Sequence, residues 1–124
     1  MILKHKIYSD DYVAFLRRQA MARALAGLDL DALDSCGAGL GQTDEEIERT
    51  RREWEERAQR SELDHVDRML RRQREGLDVL LARGGAVDSI ESEPVASTEA
   101  ERIAQGEAGP APANKFTVYL VRVS

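Results

Sequence analysis

Apolar and polar positions change their period several times along this chain, and each change marks a predicted element. Residues Ile2 to Tyr8, "ILKHKIY", alternate loosely, with Leu3, His5 and Ile7 on one side and Ile2 and Tyr8 on the other, which predicts a short strand. From Asp10 the spacing turns helical. Tyr12, Val13, Leu16, Ala20 and Ala24 form one face of a helix reaching Ala26, and Phe15, Met21 and Leu25 widen that face toward further neighbours. Ser9 is placed to cap this helix, Asp10 and Asp11 suit the positive end of its dipole, Tyr8 can staple onto Val13, and Gly27 ends it.

The stretch "LDLDALDSCGAGLGQ" then reads as a turn region, with room for one helical turn over Asp29 to Ser35 before Gly37, Gly39 and Gly41. At Thr43 the run "TDEE" forms a capping box, and a long helix is predicted from there to Arg83, where Gly84 and Gly85 stop it. Its apolar residues divide into two sets. Ile47, Trp54 and Ala58 share one direction, whereas Leu63, Val66, Leu70, Leu77 and Leu81 centre about 120° away around the helix, so either the helix bends near Gln59 to Leu63 or it is straight and its two ends pack against different neighbours. The second half carries a short heptad seam of Leu63, Leu70 and Leu77 with Val66 and Leu80, interrupted by Gln73 and long enough to pack one more helix.

Beyond Val87 the pattern fades. Residues 87–114 are rich in Ser, Glu, Ala, Gly and Pro, and predict an extended linker with one short helix from Thr98 to Gln105, opened by the box "TEAE". Alternation returns in "KFTVYLVRVS". It sets Phe116, Val118, Leu120 and Arg122 on one face and Thr117, Tyr119, Val121 and Val123 on the other, so both faces of this strand require cover. The only partner strand legible in the chain is Ile2 to Tyr8, and a two-stranded pairing is marginal in water. Addition of the C-terminal strand to the sheet of another subunit is therefore the expectation.

The resulting fold class is mainly α: a helical hairpin of one shorter and one long charged helix, with an extended C-terminal arm and a terminal β-strand. Three parts are expected, a helical unit with a short strand over 1–86, the arm over 87–114 and a docking strand over 115–124.

Composition narrows this picture. A chain of 124 residues, 42% apolar and only 5% aromatic, has the size of one domain with a modest core. Its 33% charged residues and net charge of −5 argue against free DNA or RNA as the main ligand, because neutralising phosphates needs uncancelled cations. On the long helix the charges are arranged acid first, four apart: Glu45 with Arg49, Glu48 with Arg52, Glu53 with Arg57, Glu56 with Arg60, Asp64 with Arg68 and Asp67 with Arg71. Such pairs support a helix in water with little burial. A lone cysteine, Cys36, excludes an intramolecular disulfide and suggests a reducing setting, and no apolar run is long enough for a membrane span. The expected location is a virus particle assembled in a bacterial cytoplasm, or otherwise the cytoplasm.

Candidate chemistry changes little. "CGAGLG" resembles a phosphate loop, but no Lys-Ser/Thr pair follows, and Asp44, Glu45 and Glu46 would repel phosphate. Asp29, Asp31 and Asp34 miss the alternation of a calcium loop, and His5, Cys36 and His65 stand singly without metal-ligand spacing. No nucleophile motif is present and the glutamates have arginine partners, so no cofactor, metal or catalytic residue is assigned.

What remains is partner binding. The residues assigned to it are Trp54, Leu63, Leu70 and Leu77 on the long helix and Phe116, Val118, Tyr119, Leu120 and Val121 on the last strand. The functional expectation is a non-enzymatic subunit of a large assembly, such as a connector, collar or tail component of a bacteriophage particle, bound to copies of itself or to other structural proteins. The alternative is a small regulatory adaptor that uses "RMLRRQR", Arg68 to Arg74, against a protein or nucleic acid.

Overall fold

The computed structural model describes residues 1–28, 43–106 and 108–124. In chain order these form β1 (Ile2–Tyr8), α1 (Asp10–Ala26), α2 (Asp44–Ala82), β2 (Ala86–Pro94), α3 (Ser97–Ala104) and β3 (Asn114–Arg122). The fold is mainly helical with one small antiparallel sheet, as the pattern predicts. The glycine turn, Cys36 and the aspartates Asp29, Asp31 and Asp34 lie outside the described residues.

Helix starts follow local chemistry closely. Ser9 Oγ accepts from the Tyr12 amide to cap α1, and Thr43 and Glu46 exchange side-chain and backbone bonds in a complete capping box on α2. The third box does not form. Helix α3 begins one residue early, with Ala96 at its cap and no side-chain bond there. Tyr8 stacks its ring on Tyr12, 4.9 Å between centroids, in place of a simple staple to Val13.

Helices α1 and α2 run antiparallel. Arg17 on α1 reaches Asp67 on α2 at 3.3 Å, and one groove is lined by Asp10, Val13 and Ala14 from the first helix and by Leu70, Arg71 and Arg74 from the second. Tyr12, Phe15, Ala20 and Ala24 are buried on α1, whereas Met21 and Leu25 stay 41% and 44% exposed, so of the residues that widen the face only Phe15 finds cover. On α2 the acid-first ladder does not close. Among the described residues the only carboxylate–arginine pair four apart is Arg51 with Glu55, because exposed side chains gain little from fixing one geometry and Asp67 is drawn to Arg17 instead.

The sheet departs most from expectation. Its order is β1-β3-β2, with both outer strands antiparallel to β3. The C-terminal strand therefore occupies the centre, and strands from all three expected parts of the chain meet in one sheet. Both edges of β3 are occupied within the chain, which removes it as a free docking strand. Residues 87–114, read as a linker with one short helix, supply that helix as α3 and also most of β2, which the sequence does not predict. Composition misleads here because β2 is held by its backbone ladder and by ion pairs, Arg122 with Asp88 at 2.6 Å and Lys6 with Glu93 at 2.8 Å, while its side chains remain mostly exposed.

A tight turn delivers β2 to that position. Gly84 adopts φ +90°, a conformation that disfavours side chains, and a Cβ on Gly85 would fall 2.6 Å from the Leu80 carbonyl oxygen. The core lies where sheet and hairpin meet: Ile7, Val66 and Val121 are buried there, with Val121 fully enclosed.

Candidate protein-interaction surface

The five strand residues assigned to partner binding are brought together, but inside the chain. Val118 and Val121 are buried, and Phe116, Tyr119 and Leu120 are half-buried in the central strand. Phe116 stacks on Tyr8 at 5.0 Å and takes the ammonium groups of Lys6 and Lys115 at 5.4 and 5.5 Å from its centroid. Their role is cohesion of the sheet. On α2, Leu63, Leu70 and Leu77 are half-buried on the side of the buried Val66, and Leu70 lines the groove against α1. Trp54 is also half-buried, on the other side of the helix.

Sequence reasoning missed the contact that seats β1 on α2. His5 donates from Nε2 to the Gln73 carbonyl at 2.6 Å, and the Gln73 side chain accepts from the Tyr8 amide at 3.1 Å. The signal available was Gln73, the polar interruption of the seam. A polar residue in an apolar row reads as a defect until the strand edge it serves is known.

A second polar knot fastens α3. Tyr12 donates its hydroxyl to Glu99 at 3.0 Å, and Lys115 donates to both Glu99 oxygens at 3.0 and 3.1 Å. The Lys115 ammonium holds the Glu99 carboxyl below the usual glutamate range. Burial and the neighbouring carboxylate push the Tyr12 hydroxyl up to about 12. Beside this knot a groove of about 550 Å³ opens between α1 and α3, with Phe15, Arg23, Arg102 and Ile103 in its lining.

The surface left for partners has two components. Helix α2 spans 39 residues, about 58 Å, with Val66 its one buried residue among those described. The outer strands of the sheet expose large apolar side chains: Ile2 at 48% and Leu3 at 36% on β1, Val87 at 41% and Ile90 at 59% on β2. Arg71, Arg72 and Arg74 have no carboxylate within 4 Å among the described residues, and Arg68 donates to the Asp64 backbone carbonyl. No helix in the described residues is long and apolar enough to cross a membrane. Within those residues no three His, Cys, Asp or Glu side chains converge as a metal site.

Comparison with known proteins adds no relative. No protein family, curated protein or solved structure matches this chain.

Proposed function

We propose that this protein is a non-enzymatic assembly subunit, seated among other protein subunits by the exposed flanks of α2 and by the outer strands of its sheet. The observation that carries this reading is the burial of α2: of its 39 residues Val66 alone is fully buried, and Ile47, Trp54, Leu63, Leu70 and Leu77, which recur along it, are only half-buried. A helix of that length with so little intramolecular cover gains stability when neighbours supply the rest. A small core, a long charged helix and a compact sheet suit a component of a bacteriophage particle, such as a connector, collar or tail subunit. That part of the proposal rests on architectural analogy. Assembly in a bacterial cytoplasm belongs to the same reading.

The test is the solution mass of the full chain by light scattering across concentration, joined to capture of partners from the native source. A defined multimer, or a stoichiometric structural partner, supports the proposal. A monomer that captures nothing overturns it.

A second reading draws on the α2 arginines that form no ion pair among the described residues. A regulatory adaptor would present Arg68, Arg71, Arg72 and Arg74 to an acidic protein or to nucleic acid, and its affinity would fall steeply with salt. A filter-binding series over salt concentration separates this reading from the first.

A further inference from the structure

We propose that copies of this chain join head to tail by parallel pairing of the β1 edge of one copy with the β2 edge of the next, extending one sheet through the assembly. This inference rests on the assembly-subunit reading and names the partner of that surface as a second copy.

The ladder inside the sheet settles which backbone groups face outward. Met1 exchanges bonds with Val123 at one end of β1, and the Ser9 amide donates to the Lys115 carbonyl at the other, with an unbroken register between. Odd residues of β1 therefore bond to β3, and Ile2, Lys4, Lys6 and Tyr8 point their N–H and C=O groups away. The Tyr8 amide, capped by Gln73, agrees with this phase. Even residues of β3 turn toward β2, so Ser89, Glu91 and Glu93 bond inward and Ile90 and Ser92 face out.

In a parallel pair, one residue bonds to the two residues that flank its opposite number. Placing Lys4 across from Glu91 of the second copy lets Lys4 bond to that copy's Ile90 and Ser92, the two residues with outward groups. The same register sets Lys6 beside Glu93 and Leu3 beside Ile90 of the second copy. Charges then oppose on the outer face, and two exposed apolar side chains meet on the helical face. Antiparallel pairing of these edges turns the acidic residues of one strand toward Leu3 and His5 of the other, which discards both matches.

The edges also reject their own kind. Two β1 strands bring Lys4 and Lys6 against lysines, and two β2 strands bring Glu91 and Glu93 against glutamates, so only unlike edges fit. The irregularity around Asp88 and the missing amide of Pro94 confine the open stretch of β2 to a few residues. A contact between unlike surfaces repeats, giving a ring where the rotation closes and a filament where it does not.

The experiment compares the full chain with Lys4→Glu and Glu91→Lys variants by light scattering, with circular dichroism to confirm the fold. These two positions leave the intrachain pair of Lys6 with Glu93 untouched. Each variant alone is expected to associate roughly tenfold or more weakly, and an equimolar mixture to recover, because each variant supplies the edge the other needs. A multimer unaffected by either substitution overturns the edge pairing while leaving an assembly role through α2 in place. Weakening of both variants without recovery on mixing also overturns it. A native chain that is monomeric throughout overturns it too, and capture of a different structural protein would then preserve the broader reading.

Discussion

The ring of His5 lies over Gly76: a Cβ added at Gly76 would stand 2.7 Å from His5 Cε1, and the ring is pinned there by its 2.6 Å bond to the Gln73 carbonyl. A glycine inside a helix costs about 1 kcal/mol against alanine. Here that cost admits a strand side chain to the helix surface and seats β1 on α2. Gly76→Ala should therefore destabilise by about 1–3 kcal/mol despite its better helix propensity, since the ring must move and lose its bond. Urea unfolding of this variant and of the pair with His5→Ala measures it. Part of the loss should return in the double variant.

Acid should loosen α3. Lys115 and Tyr12 both favour the charged form of Glu99, and its carboxyl titrates below the ordinary glutamate value. A lowered carboxyl contributes stability above the unfolded-state value and loses it as pH falls through the folded one. The native chain should thus lose part of its stability below about pH 4, the ordinary carboxyl range. Glu99→Gln should remove that part near neutral pH and flatten the acid limb. Denaturation midpoints over a pH series, native against variant, decide this.

Alkali should act on the same knot through Tyr12. Its hydroxyl ionises at about 12 against an ordinary 10.0, so the folded state retains the proton longer than the unfolded chain. A raised value contributes stability below the unfolded pKa and loses it as pH rises through the folded one, which places the loss between about pH 10 and 12. Tyr12→Phe should lack this step. Tyrosinate absorbance followed with pH should show a late-titrating step in the native chain that the variant lacks.

Central placement of β3 predicts the outcome of truncation. Removal of residues 115–124 takes away the only strand that bonds to both others, so a chain ending at Asn114 should lose cooperative unfolding and sheet signal. A peripheral docking strand would leave a folded remainder. Val121→Ala, at a fully enclosed position, should cost roughly 2 kcal/mol by cavity formation. Thermal melts by circular dichroism report both effects.

What the sequence determined by itself is local. The caps at Ser9 and Thr43, the length of α2 to its glycine stop and the alternation of β1 and β3 were legible because hydroxyl, carboxylate and glycine act within a turn or two of chain. Tertiary structure decided the rest. Residues 86–94 carry no strand pattern, and they are a strand because the Gly84–Gly85 turn lays their backbone against β3, whose hydrogen bonds do not read side chains. Likewise the carboxylates of α2 had arginines at the favoured spacing, yet Asp67 found Arg17 on the neighbouring helix. Of the nine residues assigned to partners, the five on β3 hold the sheet together, because two edge strands separated from β3 in sequence converge on it in space. The edges left open, with lysines on β1 and glutamates on β2, could be recognised only once that order was known.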